Sequence, residues 1–244
     1  PPSEKKFANF HVSGSRYFGI PTLDPFFIKE MVLKSEASQT VAVEQTYQNI
    51  RMHGMTNSNT EQNFKIDLVE NCAWTMDVKT PVLILEGDYK ISGTLLMFPL
   101  NGFGKCNITM CKSPVEFDIN GFKMAASAQE DTYCSVVVNE SIFPDNMVNT
   151  HKSTCEKYAV KGKTYLKLTN YTMDIKLDKI TMDFENIFPG NAQISAEILK
   201  TLNDNSDAVF KDIKSGFEQV FSSIHLTMAN KVFSKVPLNE IFLD

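Results

Sequence analysis

Residues 83–100 read LILEGDYKISGTLLMFPL, and their alternation decides how the rest of the chain must be arranged. Leu83, Leu85, Gly87, Tyr89, Ile91, Gly93, Leu95 and Met97 take the odd positions, while Glu86, Asp88, Lys90, Ser92 and Thr94 take even ones. Successive side chains of an extended segment point to opposite faces, so the spacing predicts a strand with one buried and one solvated face. At about 3.3 Å per residue such a strand extends roughly 50 Å, against five or six residues in an ordinary one. Gly87 and Gly93 lie on the apolar face, where a missing side chain permits a sharp bend or the close approach of another element. A strand this long with bends built into its inner face is predicted to wrap around something.

The wrapped object is legible near the C-terminus. Phe210, Ile213, Phe217, Val220, Phe221, Ile224, Met228 and Val232 recur at three- and four-residue steps between 207 and 233, with Lys211, Asp212, Lys214, Glu218 and Gln219 off the stripe. That period predicts an amphipathic helix about 40 Å long, comparable to the long strand. Ser206 is placed to cap its start, and Pro237 follows its end. A shorter helix is expected over 191–203, after the Pro189-Gly190 turn, with the polar cluster 203–207 as a break between the two.

Strand signals fill most of the remainder. Val41, Val43 and Tyr47 change phase to Ile50 and Met52, which predicts a bulge near Gln48-Asn49. Between 64 and 78 the even positions are apolar, Glu70 excepted, and this run is expected to pair antiparallel with 83–97 across Pro81. The segment 165–185 switches face twice, which reads as two bulges in one strand. Gly102-Phe103-Gly104 reads as a turn, and Cys106, Ile108 and Met110 as the inner face of a further strand. The fold class is α+β: a long, highly curved antiparallel sheet around a long C-terminal helix. No repeat or linker interrupts the chain, so residues 1–244 are expected to form a single domain.

A net charge of −5 and a pI near 5.5, without a Lys/Arg stripe, argue against nucleic acid or an anionic membrane surface as partner. No apolar run approaches the eighteen or so residues of a membrane span, so no stable insertion is expected. Pro1 opens a polar segment rather than a signal sequence, which reads as a chain already processed. Three acceptor sequons, at Asn107, Asn139 and Asn170, are glycosylation candidates. Five cysteines (Cys72, Cys106, Cys111, Cys134, Cys155) allow fifteen arrangements of two bridges, of which a Cys134–Cys155 pair is favoured.

Catalytic chemistry finds little support. No G-x-S-x-G occurs, and His11, His53, His151 and His225 show no metal-ligand spacing. No catalytic residue, metal or cofactor is expected, and His225 reads as a structural histidine. Glu70 is a weak candidate anchor for the polar end of a ligand. The 18 Phe and 11 Met favour an adaptable apolar wall.

The run PVLILEGDYKISGTLLMFPLNGFGKCNIT (81–109) resembles the signature of the insect takeout and juvenile-hormone-binding proteins, pairing a G-x-Y-x-x-x-G strand with a following P-x-x-G-x-G. LDPFFI (23–28), NIRMHGM (49–55), MDFENIFPGN (182–191) and NKVFSKVPLNEIF (230–242) resemble further family segments in the expected order. The resemblance implies a tubular roll enclosing an apolar tunnel, a secreted protein of haemolymph or cuticle, and a bound small hydrophobic ligand. An isoprenoid is expected, either juvenile hormone or a carotenoid such as the yellow proteins of the family hold. The inner faces would then line the tunnel: Trp74, Met76, Leu83, Leu85, Tyr89, Ile91, Leu95 and Met97 from the first ribbon, Ile108 and Met110 from the next. Tyr171 and Met173 would join them, with Phe210, Ile213, Phe217, Phe221 and Met228 from the helix. Tyr89 or Tyr171 would supply a hydrogen bond to a hormone, and tryptophan at Leu95 or Phe217 would block the tunnel while sparing the fold. The alternative is a storage or interaction protein whose core is filled by its own side chains. Oligomeric state is not legible.

Overall fold

In the computed structural model, which describes residues 13–34, 41–60, 65–95, 98–111, 117–119, 122–124, 147–177 and 179–241, the alternating segments are strands. They are β1 (Phe26–Lys34), β2 (Val41–His53), β3 (Asn59–Thr60), β4 (Lys65–Asp67), β5 (Ala73–Thr80), β6 (Val82–Leu95), β7 (Phe98–Cys111), β8 (Phe117–Ile119), β9 (Phe122–Met124), β10 (Met147–Val160), β11 (Lys163–Lys176) and β12 (Lys179–Phe184). Helices α1 (Ala192–Asp204), α2 (Ser206–Phe233) and α3 (Leu238–Ile241) follow. One sheet has the order β1-β2-β6-β7-β12; the other runs β11-β10-β5-β3, with β4 also on β5. Every pairing in both is antiparallel.

The opening stretch behaves as its alternation requires. Leu83, Leu85, Tyr89 and Ile91 are buried, while Glu86, Lys90, Ser92 and Thr94 are exposed. A Cβ on Gly87 would lie 2.5 Å from Ile50 Cδ1 and 2.8 Å from the Gln48 carbonyl oxygen, so the glycine admits the neighbouring strand. That neighbour is bulged where expected: the β2–β6 register shifts between Gln48 and Arg51, and Asn49 adopts a φ of +54°. The extra residue lets Tyr47 and Ile50 both face the core, at 1% and 0% exposure.

Five expectations are corrected. Gly102-Phe103-Gly104 is not a turn but lies within β7, where Gly102 and Gly104 pair with Ile91 and Tyr89. A Cβ on Gly102 would meet Ile187 backbone at 2.8 Å, which is why glycine sits there. The run 64–78 is not one strand: β4 folds back on β5. Asp67 organises the reversal, its carboxylate accepting from the Val69 and Glu70 amides at 3.0 Å and from Asn71 Nδ2 at 2.7 Å. Glu70 is exposed in that turn, so it anchors no interior ligand. Next, β5 and β6 do not pair; Pro81 alone separates them, too short a link for a reversal, and the chain runs on from one sheet into the other. The second face switch in 165–185 is likewise the passage from β11 to β12, in the other sheet, whereas the first is a bulge opposite Thr154/Cys155.

The disulfide expectation is also corrected. Cys155 bonds Cys72, with Cα atoms 5.2 Å apart, rather than Cys134. The ladder brings them together: the Cys155 amide donates to the Cys72 carbonyl at 2.7 Å, continuing the β5–β10 pairing by one step. Cys111 is disulfide-bonded as well, Cys106 is a buried free thiol, and Cys134 lies outside the described residues.

Helix α2 buries Phe210, Ile213, Phe217 and Phe221 of the predicted stripe together with Val209, while Val220, Ile224, Met228 and Val232 are half-buried. Asn205 both ends α1 and begins α2, so the cap falls one residue before Ser206. The helix lies against β11 and reaches β1 and β12. Its polar side chains bond edge-strand backbone: Met173 N donates to Ser222 Oγ at 3.0 Å and Ile175 N to Glu218 Oε1 at 2.8 Å. Asn230 makes a two-way contact, accepting from Leu168 N at 2.7 Å and donating to the Leu168 carbonyl at 3.1 Å. Asn203 of α1 repeats the device on β12, accepting from Met182 N at 2.8 Å and donating to its carbonyl at 2.9 Å. Each amide mimics one rung of a missing neighbour strand.

Candidate functional site

The sequence nominated the inner faces of the ribbon and the helix stripe, and these converge. Trp74, Leu83, Leu85, Tyr89, Ile91, Ile108, Met110, Tyr171, Met173, Phe210, Ile213, Phe217 and Phe221 belong to one buried cluster, against which Met228 packs. Met76 is half-buried; the side chains of Leu95 and Met97 lie outside the described residues. The members are not equivalent. Leu85, Met110 and Phe217 are 0% exposed, so no water-sized space touches them and they are packed core. Trp74 is edge-on to Phe233, with ring centroids 5.6 Å apart.

Neither nominated tyrosine offers a free hydroxyl proton. Tyr89 donates to the Glu185 carbonyl at 2.6 Å, holding the turn after β12 against β6. Tyr171 bonds His151 Nδ1 at 2.6 Å.

The sequence missed a polar stripe on the inner face of β10. Asn149, His151 and Ser153 are buried to 3%, 3% and 4% exposure, while the alternate positions Lys152 and Thr154 face solvent and Thr150 is half-buried. No apolar residue marks the inner face there, so hydrophobic patterning is silent; only the strict alternation with exposed Lys and Thr carries a trace. The ladder sets His151 beside Met76 on β5 and Met173 on β11. Ser153 Oγ donates to the Asn170 carbonyl at 2.8 Å, and Asn149 Nδ2 donates to Thr80 Oγ1 at 3.4 Å. His225 of α2 stacks on Tyr171 at 5.6 Å between centroids and lies 5.4 Å from the His151 ring, so two histidines 74 positions apart in sequence share one site. Its Nδ1 bonds the Phe221 carbonyl at 2.7 Å, which fixes the proton on that nitrogen. A cleft of about 470 Å³ lies between β11 and α2, lined in part by Tyr171, Met173, Ser222 and Leu226, and meets the cluster from outside at Tyr171.

Burial, reinforced by the neighbouring His225, pushes the His151 imidazole down to about 3 from its ordinary 6.5; burial also lowers His225 and raises the Tyr171 phenol. Both rings are therefore neutral near pH 7. A linkage prediction follows with a definite sign. Between about pH 6.5 and 3 the unfolded chain binds a proton at His151 that the folded chain refuses, so stability is highest above pH 6.5 and falls as pH drops through that window. Urea unfolding should lose on the order of 2–3 kcal/mol between pH 7 and 4.5, and His151→Phe should flatten that profile.

A second cleft, of about 400 Å³, lies on the outer face of β2, β6 and β7 and is lined by Asn49, Arg51, Glu86, Asp88, Lys105 and Asp183 among others. Lys105 Nζ is 2.5 Å from Asp88 Oδ1, and Asn49 Nδ2 donates to Asp88 Oδ2 at 3.0 Å. This surface is charged and wet, unsuited to an apolar ligand. Cys106 at its floor is held up to about 12 by burial and is a poor nucleophile. Asn107 faces this outer side and Asn170 is exposed on β11, while Asn139 lies outside the described residues. Among the described residues no group of His, Cys, Asp or Glu is arranged to hold a metal, and no helix is long and apolar enough to cross a membrane.

A curved antiparallel roll with its apolar faces gathered on a long helix defines the class, and comparison with known proteins supplies the family. The model of the haemolymph juvenile hormone binding protein (JHBP) family matches residues 4–137 and 141–243. The chain belongs to that family. It is 18% identical over 227 residues to the circadian clock-controlled protein daywake of Drosophila melanogaster, covering 91% of this chain and 75% of that one. The daywake protein of Drosophila yakuba is 19% identical over 229 residues, with the same coverage. Takeout 1 of Epiphyas postvittana has the same fold, with a TM-score of 0.72 and 16% identity over 97% of this chain and 92% of that one.

Proposed function

We propose that the protein is an extracellular carrier of an elongated apolar molecule, an isoprenoid, held between the curved sheets and α2. The observation that carries this reading is the convergence of separately nominated apolar faces, from β5, β6, β7, β11 and α2, on one interior, within a family named for hormone binding. Burying roughly 400 Å² of ligand surface contributes about 10 kcal/mol gross at 25 cal/mol per Å². Ordering and association costs reduce that to micromolar or nanomolar affinity. Few polar contacts are needed. The disulfide and the outward Asn107 and Asn170 sequons support a secretory route.

Solvent extraction and mass spectrometry of natively purified protein test the reading, together with thermal unfolding in the presence of added farnesyl compounds. A co-purified lipid, or a melting temperature that rises with ligand concentration, is expected, because a molecule that binds only the folded state must stabilise it. Neither outcome would leave a storage or interaction protein with a self-filled core. Absorption bands between roughly 400 and 500 nm in the same preparation would identify a carotenoid.

A further inference from the structure

We infer that the His151–Tyr171–His225 cluster, with Asn149, is a head-group site that selects apolar ligands ending in an uncharged oxygen function, an alcohol before an ester, over both hydrocarbons and carboxylates. The inference rests on the carrier reading above and sharpens it.

Two buried polar atoms carry the argument. Among the described residues His151 Nε2 and Asn149 Oδ1 have no hydrogen-bond partner, although both residues are 97% shielded from solvent. Leaving a buried polar atom unpaired costs about 1–3 kcal/mol, so two on successive inward positions of one strand point to something that completes them. The protonation pattern identifies what they ask for. Among the described residues the Tyr171 hydroxyl touches only His151 Nδ1; accepting there would leave the phenol's own proton unpaired in the interior, so the arrangement that pairs it has Tyr171 donating and the neutral imidazole carrying its proton on Nε2. The unpaired pair is therefore a donor on His151 and an acceptor on Asn149. Inward positions two apart on a strand have Cα atoms about 6.6 Å apart, and two hydrogen bonds of about 2.9 Å meeting at one tetrahedral oxygen span about 4.7 Å, so the two side chains need only lean towards each other to share one ligand oxygen. A hydroxyl accepts from the first and donates to the second. An ester carbonyl satisfies only His151, and a hydrocarbon satisfies neither. A carboxylate would also lack a cation, since burial keeps both imidazoles unprotonated. Around the donor, Met76 and Met173 on the flanking strands supply apolar contact for the first carbons of the chain.

The test displaces a fluorescent apolar probe, N-phenyl-1-naphthylamine, with farnesol, methyl farnesoate, farnesoate and farnesene at pH 7.4. Farnesol is expected to bind about tenfold more tightly than farnesene, with methyl farnesoate between them and farnesoate no better than farnesene. His151→Phe should erase the ranking while keeping farnesene affinity. His151→Gln, which restores a donor, should recover part of it, and Asn149→Leu should bring farnesol down to the ester. Melting curves without ligand establish that each variant is folded. Equal affinity for alcohol and hydrocarbon in the native protein would overturn the inference and assign the two atoms to ordered water; farnesoate binding best would overturn it too. Failure of every compound and of the probe to bind would instead sink the carrier reading itself.

Discussion

Urea unfolding of the Cys72→Ala, Cys155→Ala double variant is expected to show a loss of about 4 kcal/mol, with a melting temperature lower by on the order of 10 °C. The bridge spans a sequence separation of 83, and the chain-entropy relation for a loop of that length gives about 4.5 kcal/mol. The loop it closes contains β5, β6 and β7, so the unfolded chain regains freedom across both sheets when the bond is absent. Little should be lost from the folded side: the Cys155 amide still bonds the Cys72 carbonyl, and Cys155 still sits on the inner face of β10. A drop below about 1 kcal/mol would show that the unfolded chain is already held compact across this region by other means.

Phe217→Ala should cost about 3–5 kcal/mol, the range for removing an aromatic ring from a core that cannot collapse around the gap. Phe217 is 0% exposed at the middle of α2, its ring 5.8 Å from that of Phe221, and the adjacent Gly216 brings Leu33 of β1 so close that a Cβ would lie 2.9 Å from Leu33 Cδ2. Helix and strand are therefore fitted to each other at this level. For the same reason tryptophan at 217, expected from sequence to plug a tunnel harmlessly, has no space to enter and should itself destabilise by about 1–3 kcal/mol. Equilibrium unfolding of both variants decides it: a stable Phe217→Trp would show free volume beside the ring, and an inexpensive Phe217→Ala would show a core loose enough to refill.

What could be read from the sequence is what hydrophobic spacing encodes. The period-two pattern of 83–95 set a strand with Leu85 and Tyr89 inside, and the three-and-four period of 210–228 set the helix, because in both segments charged neighbours mark the wet face. The bulge at Gln48–Arg51 was legible as a slip of phase within one strand, whereas the same signal late in 165–185 marks a change of sheet. The sequence misled where spacing continues in phase through a change of direction. Leu68 and Cys72 extend the even-numbered apolar pattern across the reversal between β4 and β5, with Glu70 the one break, and Asp67, which builds the turn, looks like any other outward polar residue. Cysteine pairing was decided by the β5–β10 ladder, a long-range fact. The interior of β10 was invisible for a different reason: Asn149, His151 and Ser153 face inward without one apolar residue to announce it, and two histidines on separate elements meet only once the helix is laid across β11.

The amide side chains of Asn203 and Asn230 have a consequence for how this protein behaves in a crowded fluid. An open rail of main-chain groups invites a second copy to add its own strand, and the growth of such ladders is how many β-rich proteins polymerise. Here the rail on β11 is occupied at Leu168, Met173 and Ile175, and that on β12 at Met182, by side chains of the molecule's own helices. Copies can therefore be concentrated together without stitching edge to edge at these two margins.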